Sequence, residues 1–178
     1  MSTITPDLEA LARRVRLLAL DVDGVLTDGR IHYTSSGEEM KSFSILDGLG
    51  IKLLRRAGVQ VAVITARRSP MVERRVAELG IEHCVQGRED KLDALQELIA
   101  PLGMTLEEVA YMGDDLPDLR AILSVGFGLT VANASGEVAR RAPWRSTARG
   151  GEGAVREACE MLLRARGAWD AAIGCYLP

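Results

Sequence analysis

The sequence has 178 residues, which is enough for one domain with a sizeable core and too few for two. Apolar residues make up 47% and charged residues 26%, as in ordinary globular proteins, and no stretch approaches the ~20 apolar residues of a membrane span. The net charge of −3 argues against nucleic acid or an acidic membrane surface as a partner. An anionic ligand would therefore need locally concentrated positive charge.

The N-terminal segment and the cysteines indicate the compartment. Residues 1–10 lack the basic and apolar segments of an export signal. The three cysteines, an odd number without metal-ligand spacing, suit a reducing environment. We therefore expect a cytoplasmic protein in which Cys84, which lies in an apolar run, is a buried free thiol.

Short apolar runs alternate with longer amphipathic patterns along the chain. This alternation predicts an α/β fold, a doubly wound parallel sheet with helices on both faces. Ligands of such sheets bind at the carboxyl ends of the strands, so the residues that follow each strand are the candidate site residues. The predicted strands are 17–20, 59–64, 82–85, 109–112 and 126–131, the predicted helices are 48–57, 70–79, 91–102 and 115–123, and a C-terminal helix and tail follow at about 153–178.

One segment breaks this alternation. Residues 30–34 and 39–43 are strand-like and flank Ser35-Ser36-Gly37-Glu38, which predicts a β-hairpin inserted at about 29–44. No other segment is long enough for a large cap domain. We therefore expect residues 1–178 to form a single domain.

The first strand ends in two aspartates. Asp21 and Asp23 are two residues apart, so in an extended chain both side chains point the same way, and Gly24 then allows a tight turn. Two adjacent carboxylates repel each other unless a cation lies between them, and Mg²⁺ with oxygen ligands fits phosphate chemistry. On their own, these residues also fit a surface turn or a structural calcium loop.

Three further strands are followed by polar side chains. Thr65 comes at the end of the second strand, where its hydroxyl suits either a phosphoryl oxygen or a helix cap. Lys91 opens the helix after the third strand; there it opposes the helix dipole and so indicates an anionic partner, with a solvated surface lysine as the alternative. After the fourth strand, Asp114 would complete the acidic cation site, whereas Asp115 and Asp118 suit capping of the next helix or orientation of the lysine.

In residue type, order and placement, these motifs resemble the four motifs of the haloacid dehalogenase-type phosphatases. The inserted hairpin, Asp47-Gly48 and the glycine-rich stretch 150–157 narrow the resemblance to the 3-deoxy-D-manno-octulosonate 8-phosphate phosphatases, which are small, cap-less and tetrameric. The similarity runs from about Leu17 to about Ala172.

The resemblance implies a role for each motif residue. The nucleophile would form an aspartyl phosphate, and a second aspartate would serve as general acid and then general base. A hydroxyl and a lysine would hold the phosphoryl oxygens. The implied catalytic residues are Asp21, Asp23, Thr65 and Lys91, the implied magnesium ligands are Asp21, Asp23 (through its backbone carbonyl) and Asp114, and the implied supporting residues are Asp115 and Asp118.

The resemblance also implies a small anionic sugar-acid phosphate as substrate. This is 3-deoxy-D-manno-octulosonate 8-phosphate, an intermediate of lipopolysaccharide inner-core synthesis. A nine-carbon neuraminate-type 9-phosphate is the alternative, because Leu46 stands where the resembled family often has a basic or polar residue, while Arg67 favours the eight-carbon acid. The implied substrate-binding residues are Asp23, Ser44, Ile45, Leu46, Asp47, Gly48, Lys52, Arg67, Arg75 and Lys91.

A cap-less enzyme must exclude water from its acyl phosphate by other means. In the resembled family a homotetramer does so, with neighbouring subunits closing each site, and we expect the same assembly here. A signalling receiver domain, from a different class, also combines Asp, Thr and Lys in an α/β fold. It needs a phosphate-accepting aspartate after its third strand, whereas Val85-Gln86-Gly87 stands there, which makes it the weaker hypothesis.

Overall fold

The computed structural model describes residues 5–177 and contains a parallel sheet between two layers of helices. The strands are β1 (Leu17–Leu20), β2 (His32–Tyr33), β3 (Glu39–Met40), β4 (Gln60–Thr65), β5 (His83–Gln86), β6 (Val109–Gly113), β7 (Phe127–Thr130) and β8 (Trp144–Arg145). The α-helices are α1 (Pro6–Arg14), α2 (Ile45–Arg56), α3 (Pro70–Leu79), α4 (Lys91–Ile99), α5 (Leu119–Ser124), α6 (Gly136–Arg141), α7 (Ala154–Ala165) and α8 (Trp169–Ile173). Short 3₁₀ turns lie at Ala100–Leu102, Leu106–Glu108, Leu116–Asp118 and Gly174–Tyr176.

The main sheet has six strands in the order β5-β4-β1-β6-β7-β8, and every neighbouring pair is parallel. The predicted doubly wound α/β class is therefore confirmed. All four residues of β1 are buried, because the strand has neighbours on both edges and helices on both faces. The carboxyl ends of β4, β1 and β6 consequently meet at one edge of the sheet.

The core consists of two apolar layers, one on each face of the sheet. Successive residues of β1 alternate between them: Leu18 and Leu20 pack with α2, α3 and α7, while Leu17 and Ala19 pack with α4 and α5. This is the period of two that an extended strand imposes on its side chains. A strand buried on both faces therefore needs the continuous apolar run that the sequence shows.

Several element boundaries differ from the sequence expectation. Helix α2 begins at Ile45 rather than at residue 48, because the Ser44 hydroxyl caps it by accepting from the amide of Asp47. Helix α4 ends at Ile99 and continues as a 3₁₀ turn that contains Pro101. Strands β4 and β5 are shifted by one residue from 59–64 and 82–85.

Some elements carry weak or no periodic signal. Strand β8 has only two residues, too few for an alternating pattern, and helices α1 and α6 are short. The inserted hairpin is present but smaller than predicted, since only β2 and β3 pair, in antiparallel fashion. Cys84 is a free thiol but only half-buried, which corrects the expectation, because β5 is an edge strand of the sheet. None of the helices within residues 5–177 combines the length and apolar character that crossing a membrane would require.

The glycine-rich segment before α7 packs against the loop that follows β1. A Cβ atom on Gly150 would overlap the carbonyl oxygen of Gly24, and one on Gly151 would crowd the backbone of Thr27. The amide of Gly151 donates to the carbonyl of Val25 at 3.0 Å. The C-terminal segment thus supports, from outside the sheet, the loop that carries the two aspartates.

We predict that Gly150→Ala lowers the free energy of unfolding by about 2 kcal/mol or more, because backbone atoms must move to admit the methyl group. The matched control is Gly136→Ala at the start of α6, where a Cβ has open space and the change should stay within about 0.5 kcal/mol. Urea unfolding of both variants measures the difference. Equal midpoints for the two would contradict the packing described.

Candidate active site

Three neighbouring strands bring polar side chains to one edge of the sheet. Asp21 follows β1, Thr65 is the last residue of β4, and Asp114 follows β6. The amide of Asp21 donates to the carbonyl of Met112 at 3.0 Å, which extends the pairing of β1 with β6 by one residue. The hydroxyl of Thr65 accepts from the amide of Arg67 at 3.3 Å, so it also stabilises the turn after β4.

A buried lysine connects two of the aspartates. Lys91 enters the site from the first turn of α4, and its Nζ atom lies 2.8 Å from Oδ2 of Asp21 and 2.6 Å from Oδ1 of Asp118. Its side chain is only 4% exposed, which rules out the solvated surface lysine. Although burial opposes its charge, the carboxylates of Asp21 and Asp118 raise the pKa of Lys91. Lys91 is therefore a permanent cation beside the nucleophile candidate.

Asp118 fixes the position of Lys91 through a network of hydrogen bonds. Its Oδ1 atom also accepts a hydrogen bond from the hydroxyl of Tyr111 at 2.8 Å, and its Oδ2 atom accepts from the amides of Asp114 and Asp115 at 3.1 and 3.3 Å. Asp118 thus both orients the lysine and fixes the turn after β6, the two roles that sequence alone left open. Asp115 lies exposed at this turn.

The charges at this edge are unbalanced. Burial, and then the negative charge of Asp118, raises the pKa of Asp21 to about 7, and the opposing effect of Lys91 is too small to cancel it. Burial and the same neighbour raise the pKa of Asp114 to about 7. With both groups ionised at neutral pH, this edge needs another positive charge.

The donor set fits a hard divalent cation. Carboxylate oxygens of Asp21, Asp114 and Asp118 lie within 4.8 Å of one another. Because both oxygens of Asp118 already accept hydrogen bonds, Asp21 and Asp114 are the carboxylates with capacity for a metal ion. Gly24 makes this possible, since a Cβ there would collide with the carboxylate of Asp114. The expected third ligand, the backbone carbonyl of Asp23, belongs to the same loop.

The hairpin reaches back over the second aspartate. Lys41, just after β3, forms an ion pair with Oδ1 of Asp23, and its Nζ atom lies 3.2 Å from Oε1 of Glu39. Arg67, from the turn after β4, approaches Oδ2 of Asp23 to 4.0 Å and Oε1 of Glu39 to 3.4 Å. A hydrogen bond to Tyr33, followed by the charges of Glu39 and Asp23, raises the pKa of Arg67. Arg67 therefore links the sheet edge to the hairpin.

Lys41 is a site residue that sequence reasoning missed. It lies in a short exposed hairpin, where a lysine is ordinarily solvated, and no strand-end rule selects it. The alternation of β3 carries the one available signal: Glu39 and Lys41 are two residues apart and share a face, while Met40 between them is exposed.

The predicted substrate loop is divided between two surroundings. Ile45 and Leu46 are exposed in the first turn of α2, and Arg75 donates from Nη2 to the carbonyl of Ser44 at 2.9 Å. Asp47 instead is buried, and its Oδ1 atom accepts from the amide of Arg156 at 2.7 Å, at the start of α7.

Burial also raises the pKa of Asp47, against the opposing effect of backbone amides at the start of α7. The other predicted substrate-binding residues of α2, Gly48 and Lys52, have different surroundings. A Cβ on Gly48 would collide with the guanidinium of Arg75, so this glycine lets the arginine cross the start of α2. Lys52 lies exposed further along α2, and no ion pair within residues 5–177 joins it to the acidic residues. The substrate contacts of these residues stay predictions.

Similarity to known proteins supports a phosphatase active site at this edge of the sheet. Residues 46–126 match the family model of the haloacid dehalogenase-like hydrolases. Over 171 residues the chain is 44% identical to the 3-deoxy-D-manno-octulosonate 8-phosphate phosphatase of Escherichia coli strain K12, and the match covers 96% of this chain and 91% of that protein. The chain belongs to this phosphatase family. The resemblance expected from the motifs is confirmed, and the receiver-domain hypothesis is excluded.

Solved structures of the haloacid dehalogenase-like phosphatases share the fold. The 3-deoxy-D-manno-octulosonate 8-phosphate phosphatase of Moraxella catarrhalis, in complex with a magnesium ion, a phosphate ion and a KDO molecule, aligns with a TM-score of 0.95 at 45% identity, over 97% of this chain and 99% of that chain. A probable phosphatase from Pseudomonas syringae aligns with a TM-score of 0.96 at 50% identity, over 98% and 99%. The phosphatase fold without a large cap is thus confirmed for the described residues.

We predict that Mg²⁺ stabilises this phosphatase more at about pH 8 than at about pH 5.5. The pKa values of Asp21 and Asp114, about 7 when folded, lie above the 3.8 of an unfolded aspartate. As the pH rises from 3.8 towards 7, the unfolded state releases protons that the folded state still holds, so these two groups lower the stability, and the full cost is present above about pH 7. A divalent cation offsets that cost once both are ionised, whereas at lower pH it must displace protons.

Thermal unfolding with and without Mg²⁺ at the two pH values provides the measurement, with an expected rise in Tm of about 3 °C or more at the higher pH. Asp114→Asn is the control and should lose most of this rise. An equal rise at both pH values would refute the assignment of the two carboxylates to the metal.

Proposed function

We propose that this protein hydrolyses 3-deoxy-D-manno-octulosonate 8-phosphate to the free sugar acid and phosphate, with Mg²⁺ as cofactor. The main support is the buried pair of Asp21 and Lys91 beside Asp114, in a chain 44% identical to an enzyme named for that reaction. The Moraxella relative, which holds magnesium, phosphate and the sugar acid together, supports the cofactor and the substrate class.

In the first half-reaction, the Asp21 carboxylate attacks phosphorus. A bond forms between phosphorus and an Asp21 oxygen, the bond to the sugar oxygen breaks, and Asp23 gives its proton to the departing alkoxide. In the second half-reaction, Asp23 takes a proton from a water molecule that attacks the same phosphorus, and the Asp21 carboxylate is released with inorganic phosphate. Two displacements at phosphorus, with Asp21 as nucleophile in the first and as leaving group in the second, thereby replace a single difficult one.

The phosphoryl oxygens must be held while charge accumulates on them. Lys91 is oriented for this by Asp118 and Tyr111, so its ammonium needs no reorganisation during the reaction. Thr65 contributes a hydroxyl from the neighbouring strand end. When bound between Asp21, Asp114 and the carbonyl of Asp23, Mg²⁺ supplies further neutralisation of the phosphoryl charge.

The carboxylate and hydroxyls of the sugar acid require contacts outside the phosphate site. Arg67 contacts Glu39 of the hairpin and Arg75 donates to the carbonyl of Ser44, and a guanidinium suits bidentate binding of a carboxylate. Leu46 is exposed in the same loop, which supports testing the nine-carbon neuraminate-type 9-phosphate as the competing substrate.

The assembly and the compartment belong to the same proposal. We infer that the chain is one phosphatase domain, that it acts in the cytoplasm, and that it forms a homotetramer in which neighbouring subunits close each site. The hairpin supports the tetramer, because Ile31, Tyr33 and Met40 expose apolar surface there although the sites need protection from water. The three free cysteines support a reducing compartment.

We predict release of phosphate from 3-deoxy-D-manno-octulosonate 8-phosphate in preference to neutral sugar phosphates and to the nine-carbon 9-phosphate. A panel of these substrates, assayed for inorganic phosphate with Mg²⁺ and with a chelator, tests the proposal. Asp21→Asn removes the nucleophile and should abolish turnover. Activity that survives this change or the chelator would refute the mechanism, and preference for a neutral sugar phosphate would refute the substrate.

We also predict a homotetramer in size-exclusion chromatography with light scattering at micromolar concentration. Replacement of Tyr33 by Asp places a charge in the exposed apolar surface of the hairpin and should shift the assembly to smaller species. The control is Tyr176→Asp, another exposed aromatic position, far along the chain in the tail. A monomer in the unmodified protein would exclude the assembly.

A further inference from the structure

The side chain of Lys41 is unusually buried for a lysine in a hairpin. Its side chain is only 2% exposed, and its ammonium contacts two carboxylates, those of Asp23 and Glu39. A buried ammonium is stable only when its charge is compensated, and here the compensating groups come from the hairpin itself and from the loop after β1. The lysine therefore fixes the position of Asp23 relative to the hairpin.

The two oxygens of Asp23 have different surroundings. Lys41 donates to Oδ1, whereas Nε of Arg67 approaches Oδ2 only to 4.0 Å, beyond hydrogen-bond distance. An oxygen that accepts from an ammonium is the poorer position for a carboxylic-acid proton. The proton that Asp23 carries as a general acid consequently belongs on Oδ2.

We propose that Lys41 is a positioning residue that anchors Oδ1 of Asp23, so that Oδ2 delivers the proton to the leaving alkoxide. This inference rests on the proposed function, in which Asp23 is the acid and base. The proton on Oδ2 passes to the sugar oxygen as the bond from that oxygen to phosphorus breaks and the bond from Asp21 to phosphorus forms. Lys41 itself neither gains nor loses a proton.

A purely structural role would have a different signature. If Lys41 only fastened the hairpin to the sheet, its loss would act through the hairpin and through Arg67, and another variant that loosens the hairpin would change the relative rates of two substrates in the same way. A positioning role affects substrates according to their need for an acid: the alkoxide of a sugar must be protonated to leave, whereas 4-nitrophenolate leaves as a stable anion. The ratio kcat/KM reports steps up to departure of the leaving group, so it excludes the later hydrolysis of the aspartyl phosphate.

The test compares Lys41→Met with the unmodified protein on 3-deoxy-D-manno-octulosonate 8-phosphate and on 4-nitrophenyl phosphate. We expect kcat/KM to fall about 10- to 100-fold for the sugar-acid phosphate and less than about threefold for the aryl phosphate. Lys41→Arg, which keeps a cationic donor, should recover part of the loss. If Lys41→Met does not fold, as judged by circular dichroism, Lys41→Gln takes its place.

Glu39→Gln is the matched control, because it removes ion pairs of the hairpin with Lys41 and Arg67 but leaves the contact of Lys41 with Asp23. Any effect through Arg67 on binding of the sugar acid is common to both variants, so Glu39→Gln should change the ratio of kcat/KM between the two substrates much less than Lys41→Met does. The same ratio in both variants would indicate a purely structural role. An equal factor for both substrates in Lys41→Met would overturn the positioning role. Failure of the unmodified protein to hydrolyse either substrate would instead overturn the proposed function, so the two failures are distinguishable.

Discussion

The contact of Lys91 with Asp21 and Asp118 is the interaction on which the site depends. One buried ammonium lies between two carboxylates, and a third, that of Asp114, lies close by. Negative charge therefore exceeds positive charge in a region with little water, which is why the pKa values of Asp21 and Asp114 rise to about 7. The excess of negative charge supports the proposal that a divalent cation binds beside Lys91, where the two positive charges would meet the substrate phosphate.

Glycine residues make this concentration of charge possible, because they leave room where other groups closely approach the backbone. Gly24 leaves room for the carboxylate of Asp114, and Gly150 leaves room for the carbonyl of Gly24. Thr27 closes the same loop, since its hydroxyl accepts from the amide of Gly24 and donates to the carbonyl of Val22, both at 3.3 Å. The position of the candidate metal ligands is thus set by backbone packing that extends from β1 to the start of α7.

How much of this could be predicted from sequence depends on whether the signal is local. Helix α3 is predicted residue for residue, because Pro70 starts it and Gly80, with a φ of 66°, ends it. The parallel-sheet rule selects Asp21, Thr65 and Asp114 as candidates, whereas only the family resemblance predicts their roles. The anchoring of Asp47 to the amide of Arg156 joins residues 109 positions apart, and no periodicity or turn rule encodes such a pairing.

The hairpin shows why the same limit applies to Lys41. Its pairing with Asp23 depends on how a short insertion folds back onto the sheet, which only the assembled structure reveals. Arg67 meets the insertion from the other side, through Glu39 and Tyr33, so the hairpin is connected to two of the strand ends that form the site. In the proposed mechanism, a protein without a large cap thus orients its acid with a hairpin of its own chain.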